Sequence, residues 1–273
     1  MSNQPRERTL EGLCLRVSPL GENDRLLVLL TDEQGLLKVA ASGARRPRSS
    51  LAAAGGLTLV RGQVARGRSL GRLRQASVLH SYGRLGQRLE LLAPAQWLLE
   101  LAQLLIPEGE PLPGALPLIL HRLAQLEALL EEQQLELQRL EALAIAVQSS
   151  VQLLELAGVG LPLTVDLMDG SALEPPIGNW NWRCSLLPAE GFCSGRQPGA
   201  VLLLNASELA LLQRLIRPQL PRRASGELMG PERVWRHLLE LLSFWCREHL
   251  GRCPRAMALL GQDWPASAER QSG

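Results

Sequence analysis

The chain has 273 residues, 46% hydrophobic and 21% charged, the composition of an ordinary globular protein rather than a disordered or fibrous one. The opening "MSNQPRERTLEG" has no apolar run behind its charges and no stretch reaches membrane-spanning length, so a cytoplasmic protein of one large or two to three small domains is expected. The formal charge of +2 hides an asymmetry: residues 1–85 hold 14 Arg or Lys against 6 Asp or Glu, and residues 86–273 hold 15 against 21, a basic head on an acidic body.

From Leu10 to about Tyr82 the apolar segments are short and turn residues separate them: "LEGLCLRVS", "LLVLLTD", "LLKVAAS", "LTLVRGQVAR" and "RLRQASVLHSY". This pattern predicts five strands and a small barrel, with "GENDR" and "DEQG" as hairpin turns. Between the third and fourth strands lies "SGARRPRSSLAAAGG". Pro47 removes a backbone donor among Arg45, Arg46 and Arg48, so the segment is neither helix nor buried strand and presents three guanidinium groups on a loop.

After Tyr82 the period changes. "RLGQRLELLAPAQWLLELAQLLIP" and the long leucine-rich run from Leu116 to Gly158 predict amphipathic helices, separated by Pro107 to Pro113. The apolar positions exceed a two-in-seven stripe, which favours a packed helical domain over a coiled coil. Residues 161–199 form a turn-rich insertion with Pro, Gly and two tryptophans. Helices resume with a capping box at Asn205 and Glu208 and with a segment from Pro231, expected at the first helical position, to Gly251. "QDWPASAERQSG" is expected to be a frayed tail.

Signals of catalysis are weak. "GRSLG" at Gly67 to Gly71 matches a nucleophile elbow formally, but strand-like sequence follows it and arginines surround Ser69, so a glycine-rich hairpin is the better reading and an esterase built on Ser69 ranks last. His80, His121, His237 and His249 make no metal-binding pair, Glu108 and Glu110 are solvated carboxylates in a proline-rich loop, and phosphate-cradling glycine fingerprints are absent. The five cysteines, at 14, 184, 193, 246 and 253, are too scattered for a disulfide scaffold and read as reduced thiols. No enzyme is expected.

The basic residues of the barrel carry more. The candidate nucleic-acid contacts are Arg25, Lys38, Arg45, Arg46, Arg48, Arg61, Arg66, Arg68, Arg72 and Arg74. Guanidinium groups match phosphate geometry, and a cluster this dense repels itself unless an anion is bound. No Phe, Tyr or Trp precedes Tyr82, so the barrel lacks the stacking platform of single-strand binders, and binding is expected to be to backbone and strongly salt-dependent. An RNA-binding barrel is the main rival, although a backbone-only site would read the 2′-hydroxyl poorly. A protein adaptor without direct DNA binding is the other.

The run "EGLCLRVSPLGENDRLLVLLTDEQGLLKVAASGARRPRSSLAAA" resembles the opening of the RecO family of bacterial recombination mediators, with its Gly-Glu-x-Asp-Arg turn and "GAR-x-x-x-S" loop. The resemblance extends over nearly the whole chain, and its specific part is residues 11–52. It implies an α+β fold: an N-terminal five-stranded OB-fold barrel (1–84) followed by an α-helical domain (85–160 and 200–273) with a small, degenerate zinc-ribbon-like insertion (161–199). It further implies a non-catalytic protein, cytoplasmic and nucleoid-associated, that binds single- and double-stranded DNA, anneals complementary strands, and works with RecR to load RecA onto DNA coated by single-strand-binding protein. The acidic C-terminal tail of that last partner would dock on a helical groove near Arg122, Arg139 or Arg217. Two departures matter. Many members carry two C-x-x-C pairs, whereas here Asp166 and Asp169 replace the first and Cys193 with Arg196 the second, so structural zinc is not expected and packing by Trp180, Trp182 and Phe192 should hold the element instead. The ending "HLGRCPRAMALL" also lacks the basic extension often seen in the family, which argues against a second DNA contact there.

Overall fold

The computed structural model describes residues 7–65, 67 and 70–260. Five strands, β1 (Glu7–Leu20), β2 (Asp24–Thr31), β3 (Gly35–Ala41), β4 (Thr58–Ala65) and β5 (Gly71–Ser81), form a closed barrel in the order β1-β2-β3-β5-β4, the strand order of an OB-fold. The long first strand closes it: Glu7 to Cys14 pair with β4, and Leu13 to Leu20 pair with β2. The parallel contact of β3 with β5 spans only Val39 to Ala41.

β2 shows why "LLVLL" is apolar without alternation. Leu27 and Leu29 point into the barrel with Cys14, Val39, Val60 and Leu73, while Val28 and Leu30 point outward with Leu13, Leu15 and Leu36 into a second core shared with the helices. A strand buried on both faces needs a continuous apolar run. Burying these five outward side chains contributes on the order of 10 kcal/mol, so the barrel and the helical domain form one body.

The helical part comprises α1 (Leu89–Leu105), α2 (Ala115–Ala128), α3 (Leu135–Leu156), α4 (Ala206–Arg214), α5 (Glu232–Leu250) and the single turn α6 (Met257–Leu260). The long leucine-rich run is thus two helices. They part at Glu132, which is extended and whose carboxylate accepts the Gln134 N–H at 2.8 Å. α3 is buried along its whole length from Glu141 to Leu154, which makes it the centre of the domain. Several of its polar residues reach across the domain: Ser150 accepts from the Trp97 indole at 2.6 Å, and the Gln148 and Gln152 amides donate to carbonyls of Leu215, Arg217 and Gln219 after α4. The capping box of α4 forms as expected from Asn205 and Glu208, and α5 ends at Gly251 in the left-handed region. Pro231 stands one position earlier than expected, as the residue before the first helical one.

The chain between the two parts also adds to the barrel edge. Glu108 bridges Gly35 and Leu36, the Gly109 N–H donates to the Leu36 carbonyl at 2.9 Å, and Lys38 pairs with Glu108 at 2.7 Å. Gly35 has φ +60°, and a Cβ there would lie 1.9 Å from the Glu110 carbonyl oxygen.

The insertion is a hairpin of β6 (Cys184–Leu187) and β7 (Gly191–Ser194), extended past residue 199 by β8 (Leu202–Leu204) on β6. It is tied by a carboxylate. Asp166, 4% exposed, accepts from the Met168 N–H at 2.9 Å and from the Ser194 N–H at 2.7 Å, so one side chain staples the first loop to the second strand. Burial alone would raise its pKa, but these hydrogen bonds hold it below the usual carboxylate value. Phe192 is fully buried and Trp182 packs partly on the main core, whereas Trp180 is 85% exposed and packs nothing, contrary to expectation.

These residues do not fit tetrahedral zinc. Both Asp166 oxygens are engaged, Cys184 and Cys193 occupy neighbouring registers and so face opposite sides of the sheet, and burial pushes the Cys184 thiol up to about 12. Among the described residues, no cluster of three or more His, Cys, Asp or Glu could hold a metal.

Two outcomes follow from this packing. Gly35→Ala should lower stability by at least about 2 kcal/mol, through backbone strain and collision at Glu110, whereas Glu108→Ala, which removes an exposed ion pair, should cost under about 1 kcal/mol; urea denaturation compares the two. The depressed carboxylate predicts that the stability contributed by Asp166 is fully present above the unfolded pKa of about 3.9 and is lost as pH falls through its lower folded value. Asp166→Ala should therefore cost about 1–3 kcal/mol at pH 7 and remove that acid-dependent step. Limited proteolysis of the insertion reads both effects, and a chelator should change neither protein.

Candidate nucleic-acid interface

An OB-fold barrel usually takes oligonucleotides on the outer face of strands 2 and 3 and on its loops. Here that face is covered, because Val28, Leu30 and Leu36 pack against the helices. What remains open is the loop end of the barrel and the outer face of β4 and β5.

At the loop end the arginine segment is built rather than loose. Ala44, Leu51 and Ala54 turn inward and close the barrel core, leaving Arg45, Arg46, Pro47 and Arg48 exposed between them. The β1–β2 hairpin clamps the loop from below. The Asp24 carboxylate accepts the Gly43 N–H at 2.8 Å, the Asn23 carbonyl accepts the Arg45 N–H at 2.9 Å, and the Arg25 guanidinium donates to the Ala52 carbonyl at 3.1 Å. This accounts physically for the pairing of a "GENDR" turn with a "GARRPRS" loop: Asp24 holds the start of the loop at Gly43, and Arg25 holds Ala52, just beyond its end. Asp24 itself carries no separate signal in the sequence beyond its place beside Arg25. Arg48 has φ +62°, a conformation uncommon for a side-chain-bearing residue, and it turns the chain sharply after Pro47.

The ten basic candidates divide by what holds them. Arg46 and Arg48 have no side-chain partner among the described residues, and Arg45 uses one donor on the Gly21 carbonyl at 3.2 Å. Arg72 and Arg74 are exposed on β5, with Arg72 opposite Ala40, two residues before the loop begins. Three others are committed elsewhere: Arg25 to the loop, Lys38 to Glu108 at the domain junction, and Arg61 to Glu11 directly across the β1–β4 ladder. The last two pairs are exposed and weak, under about 1 kcal/mol. Arg66, Arg68 and Ser69 lie outside the described residues. The structure thus gathers Arg45, Arg46, Arg48 and Arg72 at one end of the barrel, with Arg74 one step along β5.

The arginines expected near a helical groove behave differently. Arg122 is 1% exposed, donates to Gln125, Gln152 and the Pro218 carbonyl, and is pushed down to about 10 by burial. It is part of the polar centre of the domain and presents nothing to a partner. Arg139 pairs with Glu90 at 3.4 Å, and only Arg217 is exposed.

No helix among the described residues is long and apolar enough to cross a membrane. Two family models match the chain, the N-terminal domain of recombination protein O over residues 5–82 and its C-terminal domain over residues 86–257. The chain is 54% identical over 254 residues to the DNA repair protein RecO of Prochlorococcus marinus (strain MIT 9313), covering 93% of this chain and 94% of the relative. It is 54% identical over 258 residues to that of Synechococcus sp. (strain WH7803), covering 93% of each. To that of Synechococcus elongatus it is 36% identical over 267 residues, covering 93% and 94%. With a barrel and a helical body that each match their own half of one family, the chain belongs to the RecO family of DNA repair proteins.

Proposed function

We propose that the protein is a non-catalytic recombination mediator that neutralises DNA phosphates with the arginine loop of its barrel. The observation that carries this is the construction of the loop: three guanidinium groups held outward by a dedicated clamp, two of them without a side-chain partner among the described residues. Holding like charges together costs free energy, which a bound polyanion offsets. In this reading the protein binds single- and double-stranded DNA and anneals complementary strands. Annealing needs no reactive residue, because screening lets the strands approach and base pairing does the matching. The same reading has it work with RecR in loading RecA onto DNA coated by single-strand-binding protein, with the acidic helical body serving protein contacts, in the cytoplasm beside the nucleoid. Arg217 is the remaining exposed candidate for the tail of single-strand-binding protein. No metal is required.

Binding of a labelled single-stranded oligonucleotide over a salt series tests this. The triple change Arg45→Ala, Arg46→Ala, Arg48→Ala should make the slope of log K against log salt shallower by about 2, at about 0.7 for each lost phosphate contact, while leaving thermal stability nearly unchanged. Equal slopes for the two proteins would assign the loop to a protein partner instead.

A further inference from the structure

A second cluster of unpaired arginines lies away from the loop. β1 carries a bulge between Cys14 and Arg16, where Cys14 faces Leu29 and Arg16 faces Val28. The extra residue is Leu15, which packs into the shared core, and the bulge leaves Arg16 on the outer face of the barrel. On the other side, α5 ends at Gly251 in the left-handed region and the chain turns back along α1. Glu100 of α1 fixes this return by accepting the Ala256 N–H at 2.9 Å. The result is a cavity of about 300 Å³ between barrel, α1 and the C-terminal loop, into which Arg16, Arg252 and Arg255 all border.

None of these three guanidinium groups has a hydrogen bond or ion pair to a described residue. The one carboxylate in the lining, Glu100, already accepts a backbone donor, so the cavity keeps an excess of positive charge. Leu104, Pro254 and Cys253 supply an apolar wall, and Gln103 offers an amide. The volume is at the lower end of small-molecule sites, which run from about 300 to 1,000 Å³. Convergent arginines, an apolar wall and one amide fit a phosphate, a sugar or base face, and a base edge.

Contrary to the expectation of no second DNA contact at "HLGRCPRAMALL", we propose that this cavity takes one nucleotide of single-stranded DNA, its phosphate on Arg16, Arg252 and Arg255. The proposal rests on the DNA-binding reading above. What favours DNA over an acidic peptide is placement: β1 itself leads from Arg16 to Leu20, about 13 Å along the strand, and thence into the hairpin that clamps the arginine loop. β1 therefore joins the cavity to the hairpin that holds the arginine loop, and DNA leaving the loop along β1 reaches the cavity.

Cys253 gives a local readout, since the other four cysteines are buried and it is half-buried in the cavity wall. The full-length protein is treated with a maleimide in the presence of oligothymidylate, inorganic phosphate or polyglutamate. Oligothymidylate should slow Cys253 modification at least about fivefold. Arg252→Ala with Arg255→Ala should abolish that protection and make the salt slope of DNA binding shallower by about 1.4, at about 0.7 per contact. Arg196→Ala with Arg223→Ala, an equal loss of exposed charge elsewhere, should leave both unchanged. If the native protein binds DNA with a steep salt slope but Cys253 is unprotected, the cavity proposal is wrong and the loop reading stands. If it binds no DNA, both fall. Protection by polyglutamate but not DNA assigns the cavity to a protein, and equal protection by inorganic phosphate reduces it to a simple anion site; either overturns the nucleotide assignment.

Discussion

Everything else in this molecule depends on the burial of β2 from both sides. Leu27 and Leu29 fill the barrel while Val28 and Leu30 fill the seam with the helices, so a single five-residue run belongs to two cores at once. That arrangement fixes the helical body on the face an OB-fold would otherwise offer to a ligand. Whatever the barrel binds must then be reached by its loop end or the outer face of β4 and β5, where Arg45, Arg46, Arg48, Arg72 and Arg74 lie.

The same constraint orders the remaining architecture. The seam is continued by Pro107 to Glu110 along the edge of β3 and by the Lys38–Glu108 pair, and α1 presents Glu100 to the returning C-terminal loop. At the centre, α2 and α3 together capture the turn after α4, with Arg122 of α2 and the Gln148 and Gln152 amides of α3 donating to the carbonyls of residues 215–219. A buried network of this kind is expensive to leave half satisfied, so the position of that turn is set by the helices it faces.

Much of this could be read in the sequence, for identifiable reasons. Short apolar runs with Gly and Asp between them gave the five strands, the Asn205 to Glu208 spacing gave a helix start, and Pro47 among arginines gave an exposed basic loop. What could not be read were pairings between residues distant in the chain. Lys38 and Arg61 look like free cations until Glu108 and Glu11 are brought beside them. Arg122 looks like a surface residue of an amphipathic helix until α3 and the turn at Pro218 enclose it. Asp166 looks like a lost metal ligand, yet its carboxylate does by hydrogen bonding what a thiolate and zinc would do by coordination. Arg16 lies more than two hundred residues from Arg252 and Arg255, and the turn at Gly251 brings them to one cavity.

The chain's basic residues are almost all arginine, with Lys38 as its one lysine. A lysine surface can be tuned by acetylation, which erases charge, whereas guanidinium groups keep theirs at any cellular pH. The charge carried by the basic loop of this protein is therefore constant. The sole side-chain amine sits at the seam between barrel and helices, beside Glu108, so chemistry directed at lysine would report on the union of the two halves and leave the basic loop untouched.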